Sequence, residues 1–155
     1  MKIEIQRAQI SDVRDIAVMT GEYQAEIMAL AGYDFQFQSQ EKETALRDFL
    51  DNADYAVLVA RTVRGHPLGY VTVFETQPYF DDPQGIIEQI YVRPFYRQRR
   101  IARRLIAETR LLAQKRRWRR LMVTFPLAFH LDAARAFFEK QGFTDSGSRR
   151  QWLRV

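Results

Sequence analysis

The spacing of apolar residues along the chain predicts alternating strands and helices. Met1 to Ala8 alternates apolar and polar side chains, the period of a half-buried strand. Ser11 is placed as a helix N-cap, with Asp12 and Asp15 near the positive end of the helix dipole. Val13, Ile16, Ala17, Thr20 and Tyr23 then recur at helical spacing to about Leu30, and Gly32 stops the helix. A second helix is predicted from about Gln40 to Asp51, with Ala45, Leu46, Phe49 and Leu50 as its buried stripe. Tyr55 to Val63 and Leu68 to Thr76 read as apolar strands joined by the turn Arg64-Gly65-His66-Pro67. After a loop from Gln77 to Gln84, Gly85 to Val92 is a strand that Pro94 cannot extend as a paired central strand. Ile101 to Lys115 is a helix with Ile101, Ala102, Leu105, Ile106, Leu112 and Ala113 on one face. Leu121 to Phe125 is a strand, Asp132 to Gln141 a helix ended by Gly142, and Phe143 to Val155 holds one or two closing strands. The order β-α-α-β-β-β-α-β-α-β predicts an α/β fold, a mixed sheet with helices on both faces.

Composition narrows what such a fold does. The 155 residues carry no internal repeat and no Pro/Gly-rich linker, so a single domain over residues 1–155 is expected. The absence of cysteine excludes disulfides, thiol catalysis and thiolate zinc sites, and no metal site is expected. The first residues lack the apolar block of a signal peptide, and no run reaches the roughly 18 apolar residues of a membrane span. A cytoplasmic protein without a membrane partner is expected.

Charge changes the picture more. The net charge is +5, and between Arg93 and Arg120 arginines and lysines crowd together with Glu108 as the single acid. Such a region suits a nucleic acid or a phosphorylated cofactor, or it is a solvated helix face. Within it, Glu88 to Ile106 reads as a strand, a tight basic loop and an exposed helix N-terminus. Helix N-termini present unsatisfied N–H groups and a positive dipole end, and successive loop amides form an anion nest. Arg97, Arg99 and Arg100 would reinforce it for a diphosphate-bearing cofactor.

This segment resembles the coenzyme-A-binding motif of the GNAT superfamily of N-acetyltransferases. That motif follows a strand with aromatic-Arg and then Arg/Gln-x-x-Gly-x-Gly/Ala. Here Tyr96-Arg97-Gln98-Arg99-Arg100-Ile101-Ala102 stands in its place, Arg97 and Ala102 fit, and Arg100 replaces the first glycine. Ile90-Tyr91-Val92-Arg93-Pro94 is similar to the end of the family's preceding strand. Ala134-x-x-Phe137-Phe138-Glu139-Lys140-Gln141-Gly142-Phe143 is similar to its block ending Tyr-Glu-Lys-x-Gly-Phe. The resemblance covers nearly the whole chain. It implies acetyl-coenzyme A as co-substrate and direct acetyl transfer to the primary amine of a small molecule or peptide. It also implies that backbone groups of Ile90, Tyr91 and Val92 pair with the pantetheine arm, and that N–H groups of Gln98, Arg99, Arg100, Ile101, Ala102 and Arg103 hold the pyrophosphate.

Glu88 is the candidate base, placed on the same strand face as Ile86 and Ile90, where an isolated carboxylate calls for a role or an ion-pair partner. A similar position carries an acid in the family's polyamine-acetylating branch. Phe138 stands where the family often has the tyrosine that protonates the departing thiolate, and Leu131 where it often has an asparagine. His130 is the candidate substitute, weighed against an ordinary loop histidine; His66 is set aside. Tyr79, Asp81 and Asp82 pair aromatic and acidic groups beside the cofactor strand, a surface for a cationic amine or a plain solvated loop. Tyr23, Tyr33, Phe35 and Phe37 sit where the family closes over its acceptor, and at least two of them are expected to be core. The alternative to an enzyme is a catalytically degenerate GNAT-like module that binds acyl-coenzyme A or contacts RNA, the second kept open by arginines flanking Trp118. Proteins of this kind are commonly homodimers, which leaves self-association open.

Overall fold

The structure, a computed structural model, describes residues 1–30, 32, 39–78, 82–125, 132–145 and 150–155, with the backbone alone for 39–41, 145, 150 and 152. The strands are β1 (Ile3–Arg7), β2 (Tyr55–Thr62), β3 (Pro67–Thr76), β4 (Gln84–Val92), β5 (Arg120–Thr124), β6 (Thr144–Asp145) and β7 (Arg150–Arg154). They form one seven-stranded sheet in the order β1-β2-β3-β4-β5-β7-β6. Every neighbouring pair is antiparallel except β4 and β5, which run parallel. The helices are α1 (Val13–Leu30), α2 (Ser39–Asp51), α3 (Ile101–Lys115) and α4 (Asp132–Lys140).

Both faces of the central strands are covered, which explains why β2 and β3 read as near-continuous apolar runs. On one side Leu58, Val71, Val73 and Ile87 pack with Leu105 and Ile106 of α3 and Phe138 of α4. On the other, Val57, Val59, Tyr70 and Tyr91 pack with Ile16 and Met19 of α1, and Leu46, Phe49 and Leu50 of α2 close the edge. No helix among the described residues is long and apolar enough to cross a membrane.

Two local expectations fail for physical reasons. Ser11 is not a helix cap, because a 3-10 turn over Ile10–Asp12 precedes α1. The Asp12 carboxylate instead accepts the Gln9 N–H at 2.8 Å and pairs with Arg61 at 2.6 Å. Ala45 faces solvent, so the buried stripe of α2 is Leu46, Phe49 and Leu50 alone.

The feature that shapes the site is a fork in the sheet. The β4–β5 ladder pairs Gly85 with Leu121, Ile86 with Met122 and Ile87 with Val123, and goes no further among the described residues. Immediately afterwards the β3–β4 register slips: Val73 faces Ile87 and Thr72 faces Gln89, which leaves Glu88 as an extra, bulged residue. The bulge breaks the alternation assumed from sequence. Ile87, opposite Val73, shares the face of Ile90, opposite Val71, while Ile86, opposite Phe74, turns to the other side.

Candidate active site

Past the fork a cleft of about 790 Å³ opens, lined by the end of β4, the loop after it, the first turn of α3, and parts of α1 and α4. Ile90, Tyr91, Val92, Arg97, Gln98, Arg100, Ile101, Ala102, Arg103 and Phe138 all line it, so nearly every residue assigned to the cofactor from sequence meets in one place. α1 adds Tyr23, Glu26, Ile27 and Leu30, and α4 adds Ala133, Ala134 and Phe137.

The loop between β4 and α3 holds two residues in the left-handed region, Gln98 at φ 62° and Arg100 at φ 63°. Arg100 is the N-cap of α3, and its carbonyl accepts the first bond of the helix, from the Arg104 N–H at 3.1 Å. Among the described residues, the N–H groups of Gln98 through Arg103 find no acceptor. Six successive orphan donors at the positive end of a 15-residue helix make a place suited to an anion.

The profile of the Acetyltransferase (GNAT) family matches residues 22–143, most of the chain. The chain belongs to the GNAT acetyltransferase family. Solved structures agree on the fold. A ribosomal-protein-alanine N-acetyltransferase from Brucella melitensis biovar Abortus 2308 superposes with a TM-score of 0.71 at 20% identity, over 94% of this chain and 95% of that one. The glucosamine-6-phosphate N-acetyltransferase of Arabidopsis thaliana gives 0.73 at 12% identity, over 94% of each chain. An aminoglycoside antibiotic 6'-N-acetyltransferase from Acinetobacter baumannii gives 0.71 at 18% identity, over 93% and 92%. A search of curated protein sequences finds no significant match.

Several members of the expected GNAT cofactor site serve differently from the sequence reading. Arg97 does not face the cleft as a free cation. Its Nε donates to the Val92 carbonyl at 2.8 Å, and its two terminal nitrogens donate to both oxygens of Glu26 at 2.8 and 2.7 Å. The Val92 carbonyl is thereby already engaged and the Tyr91 carbonyl lies against Gly69 of β3, which leaves the backbone of Ile90 to pair with an added strand. Arg99 lies against the loop's own aromatics, 5.6 Å over the Phe95 ring and 5.9 Å over that of Tyr96, and does not line the cleft. Of the three arginines expected to reinforce the anion nest, Arg100 alone lines the cleft without a described partner.

The sequence reading missed the acids of α1 that anchor this end of β4. Glu22 pairs with Arg93 at 2.9 Å and accepts the Tyr91 hydroxyl at 3.3 Å, while Glu26 takes Arg97. The signal was present: the acids are four residues apart on one helix, and the arginines they meet are also four apart. Burial first, then these carboxylates, push the Tyr91 phenol up to about 12. Burial, then Glu26, also raises Tyr23. Both phenols are therefore weaker acids than usual.

Glu88 sits at the bulge where β4 leaves β5; it is exposed and is not part of the cleft lining, which begins at Ile90. No described residue bonds to it, so the arginine ion pair that would make it structural is missing. Desolvation by its surroundings alone raises its carboxyl above the ordinary range. Phe138 is buried among three other phenyl rings, Phe125, Phe137 and Phe143, at centroid distances of 5.7, 5.2 and 5.2 Å. Asp82, one of the residues assigned to the acceptor, pairs with Arg119 at 2.9 Å, both side chains well exposed. Tyr79, Asp81, His130, Leu131, Tyr33, Phe35 and Phe37 lie outside the described residues. Tyr23 is core in part, packing against the α1 side of the sheet while lining the cleft.

Arg100 allows a direct prediction. A left-handed arginine is strained by about 1–2 kcal/mol, which glycine would relieve while adding flexibility to the unfolded chain. Arg100→Gly is expected to leave the melting temperature level or slightly raised. It is also expected to weaken coenzyme A about tenfold to hundredfold, through loss of one charge-assisted contact. Calorimetric titration checks it; tighter binding would show that the side chain obstructs the phosphates.

Proposed function

We propose that this GNAT acetyltransferase moves an acetyl group from acetyl-coenzyme A to a primary amine of a small molecule or peptide, by direct attack and without an acyl-enzyme. The observation that carries this is the row of orphan N–H donors from Gln98 to Arg103 beside the β4–β5 fork. That row fits a diphosphate, and the fork leaves backbone of Ile90 for an extended arm to pair with, as an added strand does. Bound there, acetyl-coenzyme A supplies the electrophilic thioester carbon.

The chain's own groups do the rest. Glu88, unpaired and raised by desolvation, accepts a proton from the incoming ammonium, a task suited to a carboxylate shifted toward neutrality. Phe138 has no proton to give, and Tyr23 and Tyr91 are raised away from that role. Protonation of the leaving thiolate therefore falls to His130 or to solvent. The structural neighbours named above act, as their names say, on amines of a ribosomal protein, an aminoglycoside and a hexosamine phosphate, which supports an amine acceptor.

Phe138 in its phenyl cluster also favours a second reading, an acyl-coenzyme A binder without turnover. Thiol release from acetyl-coenzyme A separates the two. A panel of polyamines, amino sugars, aminoglycosides and peptide N-termini is expected to contain an acceptor that raises release well above hydrolysis. Binding of the cofactor with no amine-dependent release across the panel would favour the binder.

A further inference from the structure

The exposed side of α3 carries a row of cations that starts at the rim of the cofactor cleft, with Arg103, and runs away from it. Arg103 and Arg110 are seven residues apart, two helical turns, so they fall within roughly 20° of one another around the axis, and Arg117 stands in the turn that ends the helix. All three are exposed. From Arg103 to the end of the helix the row is about 18 Å long at 1.5 Å per residue, and Glu108, the one acid of α3, lies roughly 160° round the helix from Arg110.

The stripe ends in a second pocket of about 530 Å³, lined by Gln114, Arg117, Trp118, Arg119, Arg120 and Arg154. Arg154 comes from β7, a different element. Among the described residues, Arg103, Arg110, Arg117 and Arg154 have no acidic partner. Arg119 meets Asp82, but both are well exposed, at 75% and 52%, and such a pair exchanges readily with solvent or ligand.

The backbone marks the same place. Arg117 has φ 60°, and the turn around it is a Schellman motif: its N–H donates to Gln114 O at 3.1 Å and that of Trp118 to Ala113 O at 2.9 Å. Glycine is the unstrained residue at that position. The described non-glycine residues with positive φ are Gln98, Arg100 and Arg117, two lining the cofactor cleft and one lining this pocket. The negative end of the α3 dipole accounts for Lys115 in the last turn. It does not account for an arginine at a glycine position, nor for Arg154 from β7.

We propose that this face, which adjoins the cofactor cleft at Arg103, binds the phosphodiester backbone of a nucleic acid. A row of about 18 Å that ends in further arginines around the pocket is too long for a free phosphate or a nucleotide, so the ligand is a polymer. The cations are arginines, whose planar fork matches phosphate oxygens. A membrane is disfavoured because Leu111 is the one large exposed apolar side chain of α3, too little to anchor in lipid. Recognition is of backbone and not of bases. Trp118, the aromatic among the arginines, is 2% exposed, packs its ring on Gly85 and gives its indole N–H to Glu75, so it cannot stack on a base.

The test is fluorescence anisotropy of the full chain with a labelled 20-nucleotide oligo(U), across a range of salt, with coenzyme A saturating so that the cofactor loop is occupied. Log affinity is expected to fall linearly with log salt, by about 0.7 per phosphate contact. Oligo(A) and oligo(C) should bind within about threefold of oligo(U), since stacking contributes little. The triple variant Arg110→Ala, Arg117→Gly, Arg154→Ala removes three contacts, and its glycine relieves the strained turn, so the fold should survive, as an unchanged acetyl-coenzyme A melting shift would verify. It is expected to bind oligo(U) at least tenfold more weakly, with a slope shallower by about 2. No binding by the parent at low salt, or equal binding and slope in the folded triple variant, would overturn the proposal. Tighter binding to polyglutamate or to phosphatidylserine vesicles than to RNA, lost in the same variant, would also overturn it and give the face to an acidic protein or a membrane.

Discussion

Glu88→Gln is expected to lower turnover with an active amine by about 10²-fold or more, the usual contribution of a positioned general base. Glutamine is close in size and cannot accept the ammonium proton. The residue is exposed, bulged and bonded to no described neighbour, so the fold should not notice the change. Coenzyme A affinity should hold, because the orphan N–H donors begin ten residues further along the chain, at Gln98. The pH profile gives an independent sign. A base must be deprotonated to act, and desolvation raises this carboxyl. Activity should therefore fall as pH drops through a value above the ordinary carboxylate range, and this acid limb should vanish in the variant. Steady-state kinetics of both proteins between about pH 5 and 9 check it. Equal turnover would return Glu88 to a structural part of the bulge.

Gly69→Ala should be the most damaging small substitution in the sheet. A Cβ at Gly69 would lie inside the contact radius of the Tyr91 carbonyl oxygen, with Val92 Cα at 3.1 Å and Tyr91 C at 3.3 Å. These are backbone atoms of the cofactor strand, so no side chain can move aside. Either the β3–β4 pairing opens or the variant does not fold. A loss of about 3 kcal/mol or more is expected, lowering the melting temperature by roughly 6–12 °C. A folded remnant should also bind coenzyme A poorly, since the displaced atoms belong to residues that line the cleft. A melting temperature within about 2 °C of the parent would show that β4 can shift without penalty, and that the fork is not held rigidly.

Most of the fold was legible because its elements obey strong periodicities. The stripe of α3 is regular enough that both ends of the helix follow from sequence, and the apolar runs of β2 and β3 announce a sheet covered on both faces. The bulge at Glu88 was not legible. Period-two reasoning assumes an unbroken ladder, and nothing in Ile86-Ile87-Glu88 says that the register slips there. The cleft was legible as a segment because a basic loop before a helix binds anions whatever its exact side chains. The assignment of individual arginines was not. A count of charge cannot reveal that Arg97 answers to Glu26, 71 residues away. Trp118 shows the same limit: four arginines around an aromatic look like a base-stacking surface, yet Gly85 leaves room for the ring to pack inside.

The central claim is that the segment from the β4 fork to the start of α3 holds coenzyme A by its phosphates. Isothermal titration of the parent protein with acetyl-coenzyme A and with desulfo-coenzyme A tests it most directly. The account predicts saturable one-to-one binding of both, with similar affinity, because the N–H groups of Gln98 to Arg103, which have no acceptor among the described residues, would take up the diphosphate and not the thioester. It also predicts a raised melting temperature with either ligand through linkage. No heat of binding and no melting shift with either compound at about 1 mM would contradict it, since a cleft built on those donors should stabilise the fold measurably at that concentration.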